Sequence, residues 1–217
     1  MNNFIQDWQK NKKILEKNHV YRELDEHSSC GVGLIASLDG SYKREIVEMG
    51  VQALKVLYHR GAVDADGKTG DGAGIHLEIP SDFFAEKIEL TGHEHDDSEI
   101  CVGMIFLPRN NYAAQENSRT LVETELTKSN FSIYGWRQVP VNPKVLGEKA
   151  NLTRPEITQV LFKHNNKNLI GKDLERKIYE SRRKIEKEAI KNSIEGFYIC
   201  SLSSKSIIYK GMFLAES

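Results

Sequence analysis

Three groups of residues in this 217-residue chain could do chemistry. Cys30 opens a run of small and apolar residues, Cys30-Gly31-Val32-Gly33-Leu34-Ile35-Ala36. His59-Arg60-Gly61-Ala62 follows, and then the glycine-rich Lys68-Thr69-Gly70-Asp71-Gly72-Ala73-Gly74. A thiol with a pKa around 8.5 is little ionised near neutrality, so a nucleophilic cysteine needs a base or an electropositive setting. A histidine can serve as that base. A cysteine at a chain's N-terminus has a second option in its own α-amine, of pKa about 7.7–8.0, which can take the thiol proton and return it to a leaving group. Inside a peptide bond the same nitrogen is an amide without useful basicity. Cleavage between Ser29 and Cys30 would therefore create the base. By residue type alone, a lone cysteine at a strand start is more often a small hydrophobe than a nucleophile.

The other polar clusters are weaker candidates. Gly67-Lys68-Thr69 invites a phosphate-loop reading, but five residues separate Gly61 from Gly67, one too many for that motif. The run also follows a helical pattern rather than a strand, and Asp64, Asp66 and Asp71 would repel phosphate. A shaped loop fits better. His93, Glu94, His95, Asp96 and Asp97 contain a His-x-His pair, but no Cys or His lies at ligand spacing nearby, so the segment reads as a solvated loop. No metal is expected.

Lys plus Arg number 30 against 31 Asp plus Glu, a formal charge of -1, which gives no electrostatic reason for a nucleic-acid or membrane partner. No apolar run approaches the roughly 20 residues of a membrane span. The polar, mixed-charge residues 1–29 lack the apolar segment of a secretory signal. Cys101 and Cys200 sit in strand-like contexts as reduced core residues, so a reducing, cytoplasmic setting is expected.

The chain length suits one domain with a real core. Helical periodicity appears around Phe4, Ile5 and Trp8. Cys30 to Leu38 reads as a buried strand ended by the Asp39-Gly40 turn. Ser41 to Tyr58 reads as a helix with Ile46, Gly50, Ala53, Leu54 and Leu57 on one face, and Gly50 there predicts close approach to a sheet. It should stop near His59, with Gly61 as its break. Strands are predicted at 74–79, 100–107, 131–141 and 156–164, and helices at 80–88, 112–128 and 173–191. The last helix places Leu174, Ile178, Ile185, Ala189 and Ile190 inward, with its charges paired at i,i+4. Residues 196–201 and 206–210 read as a hairpin around Ser203-Ser204-Lys205. Paired strands interrupted by amphipathic helices predict a layered α+β domain.

Cys30-Gly31-Val32-Gly33, His59-Arg60-Gly61-Ala62, the glycine-rich run, Gly135-Trp136-Arg137-Gln138-Val139-Pro140-Val141, 197–204 and Tyr209-Lys210-Gly211-Met212 together resemble the class II glutamine amidotransferase domain of glutamate synthase large subunits. The resemblance runs from about Glu26 onward. It implies an N-terminal nucleophile (Ntn) hydrolase fold, an αββα sandwich of two antiparallel sheets between helical layers. It further implies that residues 1–29 are a removable leader and 30–217 the N-terminal part of the amidotransferase domain. Cys30 would attack the carboxamide of L-glutamine to give a γ-glutamyl thioester and ammonia, and water would then release glutamate. Arg60 would orient the nucleophile and substrate, although a helix-terminal arginine bonded to backbone carbonyls is the structural alternative. Gly31 would leave room for the substrate, and Gly33 would serve sheet packing.

The resemblance also implies an arginine that holds the substrate carboxylate and an Asn-Gly turn that forms an oxyanion hole. Both are expected downstream of Met212 and neither is found, so the fold should be incomplete at its C-terminus and the fragment inactive alone and prone to aggregate. In the full enzyme ammonia would pass to 2-oxoglutarate. No cofactor is expected in this segment; FMN and an iron–sulfur cluster belong to the synthase region. The remaining large subunit, and a small subunit, are the expected partners. The alternative is a catalytically inert Ntn-like module that binds a partner.

Overall fold

The computed structural model describes residues 2–18, 31–96 and 98–214. They fall into two compact units, Met1–Gly33 and Leu34–Ser217. The first contains helix α1 (Asn2–Asn18), with Phe4, Ile5 and Trp8 exposed and the Lys12 ammonium 5.3 Å from the Trp8 ring centroid.

In the second unit the chain runs through α2 (Arg44–Val56), a 3-10 turn (Leu57–Arg60), β1 (Ala73–Glu78), α3 (Ser81–Glu89), β2 (Cys101–Leu107), α4 (Tyr112–Lys128) and β3 (Phe131–Gln138). A second 3-10 turn (Pro143–Val145) precedes α5 (Glu148–Thr153), β4 (Glu156–His164), α6 (Gly171–Lys191), β5 (Tyr198–Ser203) and β6 (Ser206–Gly211). The strands form two antiparallel sheets, one in the order β3-β4-β2-β5 and one pairing β1 with β6.

The larger sheet is apolar on both faces because its strands alternate two apolar sets. Cys101, Ile105, Leu107, Val160 and Phe162 face α4 and α6, where Val122, Leu126, Leu174, Ile178 and Ile185 complete one cluster. Val102, Met104, Leu161 and Cys200 face the other way, onto Phe84 and Ile88 of α3 and Ile207 of β6. Outside the β1–β6 pair lies α2. A Cβ on Gly50 would meet the Ile75 side chain of β1 at 3.3 Å, the close approach its position in the helical stripe predicted. The order is helix, sheet, sheet, helix, as expected. Helix α4 starts where the Asn111 side chain accepts a bond from Ala114 N at 3.0 Å, an N-cap.

Three expectations need correction. Residues 31–37 form no strand, and Leu34 and Leu38 are fully exposed, as is Val32. A strand needs a partner's backbone; among the described residues β1 pairs only with β6, and this segment pairs with neither. Second, β5 and β6 are not a hairpin: β5 pairs with β2 and β6 with β1, so the connection crosses between sheets. Glu175 of α6 explains the crossing. Its carboxylate accepts from Ser204 N at 2.6 Å and from both serine hydroxyls, while Ser203 Oγ accepts from Lys205 N and Ser206 N. The turn's donors are thus satisfied without a β5–β6 ladder. Third, Ile190 is 80% exposed, and Ser181 takes an inward position of α6 by donating its hydroxyl to Lys177 O at 2.9 Å.

Candidate functional site

Arg60 closes the 3-10 turn that continues α2, and its position is set by backbone bonds, with Gly61 N donating to Tyr58 O at 3.0 Å. Gly61 breaks the helix in extended conformation. His59 is exposed, with its Nδ1 3.1 Å from Val56 O. Cys30 and the Arg60 side chain lie outside the described residues. Gly31 is exposed, irregular and part of the first unit, whereas Arg60 belongs to the second.

Beyond Arg60 the glycine-rich loop is an ordered miniature hairpin. Val63 bridges Gly70, Asp64 N donates to Thr69 O at 2.9 Å, and Asp71 N donates to Ala62 O at 3.3 Å. Asp66 organises its tip. One carboxylate oxygen accepts from Lys68 N at 2.9 Å and Thr69 N at 2.7 Å, and the other accepts from the Thr69 hydroxyl at 2.6 Å. These donors, the Thr69 hydroxyl foremost, hold the Asp66 carboxyl well below the usual range. The Lys149 ammonium reaches Asp64 at 2.7 Å, lowering the Asp64 pKa and raising that of Lys149. Two of the acids noted in the sequence as hostile to phosphate, Asp64 and Asp66, therefore serve as acceptors that shape and anchor the loop.

The tip rests on the start of α5. Ala150 N lies 3.4 Å from the Thr69 hydroxyl oxygen. A Cβ on Gly147 would fall within the van der Waals envelopes of Asp66 Oδ2 and Thr69 Oγ1. The other end of the loop is also held: a Cβ on Gly70 would lie 2.7 Å from Phe213 O. Sequence reading missed Gly147 and Lys149. The Asp66-x-x-Thr69 spacing signals a side-chain-stabilised turn, but nothing local marks its partner 78 positions after Thr69.

The His-x-His segment is irregular, with His93 and Glu94 exposed as expected and His95 and Asp96 half-buried. His93 Nδ1 lies 3.0 Å from Thr91 Oγ1 and its ring meets Tyr134 edge-on, while His95 Nε2 lies 3.0 Å from Ser98 O. Asp96 takes Lys163 at 2.7 Å and Lys167 at 3.1 Å. A polar recess of about 530 Å³ beside them is lined by His93, Glu94, Glu123, Tyr134 and Lys163 among others. Among the described residues no group of three or more His, Cys, Asp or Glu could hold a metal ion. Cys101 and Cys200 are buried on opposite faces of the large sheet, and burial raises both thiol pKa values. That separation does not suit them as ligands of one iron–sulfur cluster.

Among the described residues no helix is long and apolar enough to cross a membrane. Comparison with known proteins adds the identity of the fold. Residues 30–217 match the family described as glutamine amidotransferases class-II. The chain is 52% identical over 213 residues to the glutamate synthase [NADPH] large chain of Azospirillum brasilense, covering 98% of this chain and 14% of that protein. It is 40% identical over 193 residues to the ferredoxin-dependent glutamate synthase of Pyropia yezoensis, covering 86% of this chain and 12% of the relative. A chloroplastic ferredoxin-dependent glutamate synthase of Spinacia oleracea is 38% identical over 195 residues, again at 12% of its length. The chain thus spans a small part of the relatives it matches. The match over residues 30–217, carried by helix–sheet–sheet–helix layering of two antiparallel sheets, shows that this chain belongs to the class-II glutamine amidotransferases.

Proposed function

We propose that this chain is part of the glutaminase domain of a glutamate synthase, and that in the complete domain Cys30 releases ammonia from L-glutamine, the 217-residue chain by itself having little or no such activity. The observation that carries this reading is that the family match begins on Cys30 itself. Removal of residues 1–29 turns the Cys30 amide into an amine of ordinary pKa about 7.7–8.0, which accepts the thiol proton as sulfur attacks the γ-carboxamide carbon. The protonated amine then returns that proton to the departing nitrogen. Ammonia leaves and a γ-glutamyl thioester remains. Water, activated by the same amine, attacks the thioester carbonyl, releasing glutamate and restoring the thiol. Arg60, directly before the hairpin, orients the nucleophile and the substrate, and Gly31 leaves the approach to sulfur open.

In the complete enzyme the ammonia passes to 2-oxoglutarate, with FMN and an iron–sulfur cluster in the synthase region. The remainder of the large subunit, and a small subunit, are the partners. The described residues offer no thiol set for such a cluster.

The test is covalent labelling. In the full-length large subunit the mature chain should begin at Cys30 by mass spectrometry, and the diazoketone 6-diazo-5-oxonorleucine should alkylate Cys30 competitively with glutamine. Cys30→Ala should abolish labelling. A chain that keeps Met1 in cells and reacts with the diazoketone no faster than with iodoacetamide would be an inert module instead.

A further inference from the structure

Gly147 has φ -70° and ψ 167°, a conformation open to any residue, so backbone freedom does not explain a glycine there. Space does. The missing Cβ is the room into which Asp66 Oδ2 and Thr69 Oγ1 fit. The contact joins two segments far apart in sequence, the hairpin that starts at Arg60 and the connection between β3 and β4. It is reinforced by the Lys149–Asp64 ion pair and by Thr69, which is only 6% exposed and both donates to Asp66 and lies within reach of Ala150 N. From there a ladder of backbone bonds runs through Asp64 to Thr69, Val63 to Gly70 and Ala62 to Asp71, ending two residues from Arg60.

We propose that the Gly147–Asp66–Thr69 contact is a positioning device for the glutamine chemistry: it holds the hairpin, and with it the backbone at Arg60, in one place. This rests on the reading of Cys30 and Arg60 given above. Because orientation errors near 1 Å can cost on the order of 100-fold in a positioned reaction, loosening the contact should slow oriented chemistry far more than unoriented chemistry.

Two electrophiles separate those quantities. The diazoketone glutamine analogue must be oriented to react, whereas iodoacetamide reports only the access and ionisation of the thiol. In the leader-free, full-length large subunit of which these residues form a part, Gly147→Ala and the near-isosteric Thr69→Val should each lower the second-order rate of Cys30 labelling by the diazoketone at least about 10-fold. Iodoacetamide labelling of Cys30 should stay within about two-fold. Thr69→Ser, which keeps the hydroxyl, should restore most of the diazoketone rate. Cys101 and Cys200, both buried, serve as the fold control: their continued silence toward iodoacetamide shows that a slow variant is folded. Should Gly147→Ala unfold the chain, the Thr69→Val and Thr69→Ser pair still decides. Wild-type rates in both folded variants would overturn the positioning role while leaving the Cys30 reading intact. Absence of diazoketone selectivity in the wild type would overturn both.

Discussion

Asp96 gathers two ammonium groups and a phenol at one carboxylate. Lys163 and Lys167 lie at 2.7 and 3.1 Å, and the Tyr134 hydroxyl donates at 3.4 Å. These partners, Lys163 foremost, hold the Asp96 carboxyl far below its usual range. Burial, with the negative charge of Asp96 beside it, pushes the Tyr134 hydroxyl up to about 12. A carboxylate with a depressed folded-state pKa stabilises the fold fully above its unfolded value of about 3.9, and the contribution fades as pH falls below that value. The Asp96 side chain is 35% exposed, so screening keeps the effect modest, about 0.5–1 kcal/mol at pH 7. Asp96→Asn should therefore lower the Tm at pH 7, and the difference from wild type should shrink progressively as pH falls below about 3.9 toward the depressed folded-state value. Thermal unfolding across that range checks it; an equal Tm loss at both ends would show that charge is not the cause.

At the scale of elements, β2 is the strand on which both cores depend, since β4 and β5 flank it and its two faces feed the two apolar clusters. Gly103 sits at its centre, where an added Cβ would lie 2.6 Å from both Leu202 Cδ1 and Val160 Cγ1. Overpacking of that kind costs about 1–3 kcal/mol, so Gly103→Ala should reduce unfolding free energy by that amount in urea titration. A change under a few tenths would mean that the sheet relaxes freely there. The sheet-to-sheet step after β5 is held differently, by polar groups. Glu175 and Ser203 replace the ladder that a hairpin would have used.

At the scale of the second unit, its apolar surface is unevenly covered. Leu34 is 92% exposed and Leu38 fully so, and the apolar stripe of α2 reaches no full burial at Ile46, Ala53 or Leu54. Neither outer edge of the β1–β6 pair has a partner strand among the described residues. Exposed edges and apolar side chains drive association. Leu34→Lys with Leu38→Lys should reduce concentration-dependent light scattering while leaving Tm within a few degrees of wild type, because neither side chain is packed. A large fall in Tm would show that the segment is buried in solution.

How much was legible depends on the range of the force involved. Helix α4 and strand β4 fall on the predicted residues because their apolar spacing and their local start and stop signals coincide. Cys101 and Cys200 lie inside, as their apolar neighbours implied, and Gly50 marks a real helix–sheet contact. The motifs around Cys30, Arg60 and the glycine run pointed to the family that residues 30–217 match. Tertiary structure alone decided what depends on distant partners. It set which sheet each of β5 and β6 joins, whether residues 31–37 find a strand to pair with, and why position 147 must lack a side chain. Periodicity records which face of an element is apolar. It carries no information about which backbone or carboxylate, many residues away, will take up the remaining hydrogen bonds.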